Sequence, residues 1–184
     1  MSEPLSGDRI DAVLARSGRR RRRASPAAKT PRTGVAVLTC MDARLDVHRI
    51  LGLDEGDAHI IRNAGGAVTD DVVFALVVSQ RLLGTREILV MHHRDCAAGA
   101  LEAEELATAV EKDTGHRPPW RFEARPDAAL RVWEAVRALS FAPYLVDTEL
   151  VRGVLYDEHT DDLTAVCEVA PAKRSVAGLR HGSA

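Results

Sequence analysis

The sequence predicts an α/β fold, with a mainly parallel central β-sheet flanked by helices and a C-terminal hairpin that supplies edge strands. Three short apolar runs are separated by helical segments, and this order favours right-handed crossovers and parallel pairing. The 184 residues are 46% hydrophobic and 28% charged, which is typical of a globular domain that buries its own core. We therefore expect one compact domain.

Strands and helices alternate in the first half of the chain. Residues 35–40 are apolar and partly β-branched, as in a strand covered on both faces. A short helix, a second strand, a tight loop and a longer helix follow in order at residues 45–51, 59–62, 63–66 and 70–83. Thr69 or Asp70 caps the longer helix. That helix is apolar over much of its surface, so we predict that it is buried rather than amphipathic.

The second half begins with the clearest strand, at residues 87–92. Two helices are predicted after it, at residues 97–113 and 127–139, joined by a loop that contains three prolines and a glycine. The runs 151–156 and 163–169 flank the polar turn 159–162, which predicts a β-hairpin.

Both ends of the chain differ from the middle in composition. Residues 1–33 are polar and contain five consecutive arginines at 19–23, whose mutual repulsion predicts a mobile basic leader. Residues 171–184 are predicted to form a loose tail, which leaves 34–170 as the folded domain. The net charge is −2 and no aromatic residue interleaves the arginines, so we expect no nucleic-acid partner.

The sequence favours a cytoplasmic protein with no membrane segment. The N-terminus lacks an apolar core followed by a cleavage site, and no apolar stretch approaches the roughly 18 residues of a spanning helix. The three cysteines, Cys40, Cys96 and Cys167, are odd in number and widely spaced. Such a pattern indicates metal binding or catalysis rather than a disulfide framework.

Polar residues follow the carboxyl ends of the three predicted strands. Cys40 ends the first, the loop 62–66 follows the second, and His93 and Cys96 follow the third. Ligands of parallel sheets bind at this edge. Each motif alone is a weak signal, but together they supply two thiolates and one imidazole. Zinc favours this set in tetrahedral sites, with a fourth position available.

The two cysteines near His93 differ from the third in their expected role. Cys96 precedes a predicted helix, where the backbone dipole and a metal both favour thiolate over thiol. Cys167 lies within an apolar strand, so we assign it to the core.

Asp42 and Arg44 lie just after the first strand, with a spacing that lets a guanidinium grip a carboxylate by paired hydrogen bonds. Beside zinc, Asp42 has two possible arrangements. It can bind the metal as a fourth ligand and close the site. Otherwise it stays paired with Arg44 and accepts a hydrogen bond from the nucleophile. The residues alone leave both open.

The chain resembles the β-class carbonic anhydrases, whose hallmarks are Cys-x-Asp-x-Arg and His-x-x-Cys. The matching stretches are CMDARLDVHRILGL, HIIRNAGGAVTDDVV, SQRLLGTREILVMHH and TGHRPPW, which look like a compact actinobacterial-type branch. The resemblance covers about residues 34–169. It implies reversible zinc-dependent hydration of carbon dioxide to bicarbonate by a zinc-bound hydroxide, in a homodimer or higher homo-oligomer.

The resemblance also implies a role for each matching residue. Cys40, His93 and Cys96 would bind Zn²⁺, with Asp42 as alternating fourth ligand or hydroxide partner and Arg44 as its clamp. The loop beside the substrate pocket would be formed by Arg62, Asn63, Ala64, Gly65 and Gly66. The proton relay is not assigned; imidazole titrates near neutrality, and the candidates are His48, His59 and His92, of which His92 is expected to point into the fold.

Two positions depart from the family pattern, and two other functions remain open. Arg94 and Ala97 stand where the family commonly has a hydroxyl residue and glycine, which puts the turnover and the choice of substrate in doubt.

Hydrolases of carbon disulfide or carbonyl sulfide look like relatives with the same metal set. A non-catalytic zinc-stabilised binding module would keep Asp42 on the metal permanently, and the retained Arg44 argues against it.

Overall fold

The computed structural model describes residues 29–119, 126–145 and 148–170. The predicted basic run and the C-terminal tail lie outside the described residues. Arg32 and Thr33, which the predicted boundary assigns to the leader, hydrogen-bond through their backbone amides to Gly56 and Asp57. The Arg32 guanidinium also pairs with Asp57 at 2.7 Å.

A five-stranded sheet forms the centre of the structure, in the order β2-β1-β3-β4-β5. The strands are β1 (Val35–Cys40), β2 (Ala58–Asn63), β3 (Glu87–His93), β4 (Leu150–Asp157) and β5 (Asp162–Val169). The first four pair in parallel, and β5 runs antiparallel to β4 as the second strand of the hairpin. The predicted fold class and the C-terminal hairpin are therefore confirmed.

Among the residues that the structure describes, four α-helices connect or flank the strands: α1 (Val47–Leu51), α2 (Asp70–Arg81), α3 (Ala103–Thr114) and α4 (Ala128–Phe141). Three begin at side chains that accept a hydrogen bond from the first turn, namely Asp46, Thr69 and Asp127. These caps satisfy amide groups that have no partner inside a helix. None of the helices in the described ranges is long and apolar enough to cross a membrane.

The prediction of one helix over residues 97–113 is wrong. A short 3-10 helix (Ala97–Ala100) comes first, Leu101 is extended, and α3 begins only at Ala103. Gly99, within the 3-10 helix, lies close to α4, since a Cβ there would meet the Arg131 guanidinium at 2.2 Å. The turn after Cys96 therefore packs against α4.

The prediction that α2 is buried rather than amphipathic is also wrong. Val72 and Leu76 face the core, but Phe74 is 70% exposed and Leu82, which follows the helix, is 75% exposed. Helix α2 contacts β2, which lies at the edge of the sheet. One apolar side of this helix is thus left on the surface.

The sheet carries apolar clusters on both faces. The first consists of residues from the sheet, α2 and α4, including Leu38, Leu76, Val90, Val132 and Val136. The second surrounds α1 and includes Cys40, Leu45, Val47, Met91, Cys96 and Tyr156. Cys40 and Cys96 therefore lie in the apolar layer next to α1, at the carboxyl edge of the sheet.

Candidate metal centre

Three side chains from two neighbouring strand ends converge at the carboxyl edge of the sheet. Cys40 is the last residue of β1 and His93 the last of β3, while Cys96 follows three residues later. Their ligand atoms all lie within 4.8 Å of one another, and all three residues are buried. The arrangement follows from parallel pairing of β1 with β3, which sets both carboxyl ends side by side.

The donor set fits zinc. Two sulfurs bound to one zinc at about 2.3 Å with tetrahedral angles lie about 3.8 Å apart, and the Sγ atoms of Cys40 and Cys96 are 3.8 Å apart. The buried Nε2 atom of His93 has no hydrogen-bond partner among the described residues. An unpaired buried nitrogen is costly, and a metal beside the two thiols would satisfy it.

The predicted influence of a helix on Cys96 is not what the structure provides. Cys96 precedes a 3-10 helix of only four residues, which has little dipole of its own. Burial raises the pKa of the Cys96 thiol, and the neighbouring Cys40 raises it further. Burial thus favours the neutral thiol of Cys96, and the charge of a bound metal ion would hold it as a thiolate.

Arg44 holds both oxygens of the Asp42 carboxylate. The Nε and backbone amide of Arg44 donate to Oδ1 at 3.0 and 2.9 Å, and Nη2 donates to Oδ2 at 2.7 Å. These hydrogen bonds hold the pKa of Asp42 well below its usual range, so the carboxylate stays ionised. This is the arrangement in which Asp42 is paired with Arg44 rather than bound to a metal.

Arg44 also ties together the two segments that carry the cysteines. Its Nη1 lies 2.9 Å from the Asp95 carboxylate, and its Nη2 donates to the Asp95 carbonyl at 2.9 Å. Asp42 and Asp95 belong to the loops after β1 and β3, respectively. The guanidinium therefore links the loops after β1 and β3, and it also orients the Asp42 carboxylate.

Arg62, predicted to flank the substrate, instead hydrogen-bonds to the backbone of the segment that carries Cys40 and Asp42. Its Nε donates to the carbonyl of Cys40 at 2.9 Å and its Nη2 to that of Asp42 at 2.6 Å. Both carbonyls belong to the Cys-x-Asp segment. The guanidinium thus fixes the backbone that presents Cys40 and Asp42.

The other four residues of the predicted substrate loop form a tight turn after β2. Asn63 Nδ2 donates to the Ala67 carbonyl at 2.8 Å, and Ala64, Gly65 and Gly66 form a 3-10 turn. Gly65 and Gly66 have φ angles of 73° and 66°, in the left-handed region that favours glycine. Gly65, Gly66 and His92 line a pocket of about 250 Å³.

His92 is buried, as predicted, and its surroundings keep it neutral. Burial lowers the pKa of His92 to about 4, so Nε2 carries a hydrogen near neutral pH and donates it to the Gly66 carbonyl at 3.2 Å. A ring only 3% exposed does not exchange protons directly with buffer. His48 is exposed, and His59 is engaged with Ser79 Oγ at 2.7 Å.

The two departures from the family pattern do not disturb the three ligands. Arg94 points toward the end of β4, where its Nε lies 2.9 Å from the Asp157 carboxylate, and its side chain is 56% exposed. Ala97 is exposed and begins the 3-10 helix.

Glu158 is a site residue that the sequence analysis missed. Its Oε1 bonds to Nδ1 of His93, and it accepts the backbone amide of Asp95 at 3.1 Å. Partial burial is the largest single influence and favours the neutral acid, but the hydrogen bonds from His93 and from backbone amides together outweigh it and lower the pKa of Glu158. The signal was available, because Glu158 follows the carboxyl end of a fourth parallel strand. The sequence pattern predicts that strand only as half of a hairpin.

Fold and site together define a zinc protein of the α/β class, with a Cys₂His centre at the carboxyl edge of a parallel sheet. A family model described as carbonic anhydrase matches residues 35–140. Beta-carbonic anhydrase 1 of Mycobacterium tuberculosis is 44% identical over 141 residues, which are 77% of this chain and 86% of that protein. The chain belongs to the β-carbonic anhydrase family, whose members are lyases that hydrate carbon dioxide and use zinc.

Two further relatives describe the breadth of the similarity. The crystal structure of a carbonic anhydrase from Streptococcus mutans superposes with a TM-score of 0.77 at 36% identity, covering 91% of this chain and 100% of that one. Carbon disulfide hydrolase of an Acidianus species is 46% identical over 71 residues, which are 39% of this chain and 35% of that protein. The second match is therefore confined to a shorter segment.

Proposed function

We propose that this chain, with Zn²⁺ held by Cys40, His93 and Cys96, catalyses the reversible hydration of carbon dioxide to bicarbonate. The observation that carries the proposal is the clamped Asp42 carboxylate beside the three donors. A zinc that only stabilises a fold is coordinated by four protein ligands. Here the fourth candidate, Asp42, is held by Arg44, which leaves a coordination position for chemistry.

Zinc would act as the Lewis acid that makes water nucleophilic near neutral pH. The chain's own contribution is orientation. An ionised Asp42 only accepts hydrogen bonds, so it selects an oxygen that still carries a hydrogen and turns its lone pair toward the substrate. Arg44 prevents Asp42 from rotating away, and Arg62 fixes the backbone on which Asp42 sits.

The loop Asn63, Ala64, Gly65 and Gly66 remains our prediction for one wall of the substrate pocket. Small side chains and bare backbone suit a small, uncharged, linear molecule, which needs an apolar space rather than ion pairs. In this proposal Arg62 supports the backbone of the site and does not contact carbon dioxide.

Zinc analysis combined with stopped-flow carbon dioxide hydration tests the proposal. The assay runs from about pH 6.5 to about pH 9, which brackets the pKa of about 7 that catalytic zinc sites give to water. We expect Cys96→Ser to lose zinc and activity together. We expect Asp42→Asn to keep its zinc and lose activity, since the amide can donate where the carboxylate only accepts.

Two results would contradict the proposal. A wild-type protein with one zinc per chain and no hydration activity at any pH favours a non-catalytic zinc module. Full activity of the Asp42→Asn variant would remove the role given to the clamped carboxylate.

Carbon disulfide hydrolysis is the second candidate, favoured by the 46% identity to the Acidianus enzyme over 71 residues. The metal donors serve both reactions, so ligand variants do not separate them. Incubating the zinc-loaded protein with carbon disulfide and measuring sulfide release decides between them. Sulfide release without carbon dioxide hydration would replace our first proposal.

We also propose that the chain assembles as a homodimer through β2 and α2. Strand β2 is at the edge of the sheet, and an unpaired edge strand is a template for another strand. Beside it is an apolar groove lined by Ile60, Phe74, Val78 and Leu83. A second copy of the chain would cover both the edge and the groove. The cytoplasmic location expected from the sequence stays a prediction.

A further inference from the structure

Glu158 contacts the imidazole of His93 at its Nδ1 atom. It follows β4 by one residue, and β4 pairs with β3 so that Tyr156 is opposite His93. The His93 side chain is 1% exposed and that of Glu158 10% exposed. The bond between His93 Nδ1 and Glu158 Oε1 is therefore shielded from water, where electrostatic contacts are stronger than at a surface.

The hydrogen bond determines which nitrogen of His93 can bind a metal. A carboxylate accepts hydrogen bonds and does not donate them, so Nδ1 carries the hydrogen. The lone pair is then left on Nε2, the atom without a hydrogen-bond partner among the described residues. Since Glu158 engages Nδ1, Nε2 is the nitrogen available to a metal held with Cys40 and Cys96.

Glu158 holds the chain between the two ligands as well as the ring. The backbone amide of Asp95 donates to Oε1 at 3.1 Å, with Oε2 at 3.4 Å. Asp95 precedes Cys96 directly. One carboxylate thus fixes the orientation of the His93 ring and the path of the turn that presents Cys96.

We propose that Glu158 is the positioning residue of the metal centre, which selects the Nε2 donor of His93 and sets the turn that carries Cys96. Carboxylates behind metal-bound histidines raise the basicity of the imidazole, and their removal typically costs 10- to 100-fold in metal affinity. The inference rests on the zinc site of the proposed function but not on its reaction. Zinc affinity therefore tests it independently of turnover.

The test compares Glu158→Ala and Glu158→Gln with the wild type by chelator competition for zinc. We expect Glu158→Ala to bind zinc roughly 10- to 100-fold more weakly. Glu158→Gln keeps the size and an accepting oxygen but lacks the charge, so we expect a smaller loss. Glu168→Gln is the matched control, since this carboxylate pairs with Arg152 on the exposed surface and should leave zinc affinity unchanged.

Two further measurements separate positioning from a general loss of structure. The visible absorption of the cobalt-substituted protein reports the coordination geometry, and we expect Glu158→Ala to alter it while Glu168→Gln does not. Thermal unfolding of the metal-free proteins should change little between wild type and Glu158→Gln. A zinc dissociation constant for Glu158→Ala within twofold of wild type would overturn the inference, as would an equal loss in Glu168→Gln.

The outcomes also distinguish this inference from the proposed reaction. Weaker zinc binding by the Glu158 variants in a protein without carbon dioxide hydration supports the positioning role and removes the proposed activity. If the wild type is active and the Glu158 variants bind zinc as tightly as it does, the proposed reaction stands and the positioning role is overturned.

Discussion

Arg44 is the side chain that holds the carboxylates around the metal centre in place. Its guanidinium contacts Asp42, Asp95 and, at 4.0 Å, Glu158. The Asp42 and Asp95 carboxylates raise the pKa of Arg44 above its ordinary value, with the hydrogen bond to Asp42 as the largest cause. Its five donors in a fixed plane satisfy partners on two loops at once, which an ammonium group on a flexible stem does not.

We predict that Arg44→Lys lowers kcat/KM for carbon dioxide by roughly tenfold, the equivalent of one lost charge-assisted hydrogen bond. Lysine keeps the charge but cannot grip both oxygens of Asp42, so the carboxylate becomes free to turn. Zinc content should stay at one per chain. The measurement is stopped-flow hydration alongside metal analysis.

Arg152→Lys is the control for this prediction. Arg152 also binds a carboxylate with two nitrogens, Nε at 2.9 Å and Nη2 at 2.7 Å from Glu168 Oε2, but on the outer strands. Its replacement should leave kcat/KM unchanged. Equal effects of the two substitutions would show that the loss does not arise at Asp42.

At the scale of elements, helix α4 packs against β4 at Gly153. A Cβ at Gly153 would stand 2.3 Å from Val132 Cγ1 and 2.8 Å from Val136 Cγ2. Both valines are almost fully buried. The close approach fixes the distance between helix and sheet, and through Arg131 the same helix shapes the turn after Cys96.

We predict that Gly153→Ala destabilises the protein by about 1–3 kcal/mol, the usual cost of overpacking a filled core. Urea unfolding monitored by circular dichroism measures it. Val132→Ala should relieve the contact, so the two substitutions together should cost less than the sum of their separate effects. Strict additivity of the two would mean that the helix does not contact the new methyl group.

Local patterns sufficed to predict the strands and the three metal donors. The β-branched runs 35–40 and 87–92 are strands because both faces are buried, and Cys40 and His93 are the last residues of these strands. Such positions follow from residue spacing and the parallel-sheet rule alone. The pairing of Arg44 with Asp42 could likewise be predicted, because the two residues are only two positions apart in the sequence.

The missed features depend on contacts between distant segments. Glu158 acts on a histidine 65 residues earlier, and Gly99 packs against a side chain of α4. The exposure of Phe74 depends on which helix face the sheet covers. Periodicity describes which residues share a face but not whether a neighbour covers it, so these features required the assembled fold.

At the scale of the whole molecule, β2 lies at one edge of the sheet and one side of α2 is exposed within the part of the chain that the structure describes. We predict that wild-type protein sediments as a dimer or larger species at micromolar concentration, and that Phe74→Asp sediments as a monomer. A charge placed in an apolar contact has no partner there and opposes association. Sedimentation velocity measures the change.

Tyr144→Asp is the control, because Tyr144 is 68% exposed, much as Phe74 is, but follows α4 rather than lying on α2. It should keep the wild-type sedimentation coefficient. Since Phe74 is mostly exposed within one chain, its replacement should not lower the unfolding temperature of the monomer. Unchanged assembly of Phe74→Asp would place the interface elsewhere.

The wide separation of the zinc donors along the chain has a consequence for how the protein is made. Cys40 and Cys96 are 56 residues apart, and Glu158 comes 65 residues after His93. A ribosome therefore exposes both thiols well before it has synthesised the carboxylate beneath the imidazole. Zinc captured by the nascent polypeptide would be held only by unsupported ligands and would exchange readily. If Glu158 positions the ligands as proposed, durable metal retention begins only once translation has passed the fourth strand and that strand has joined the sheet.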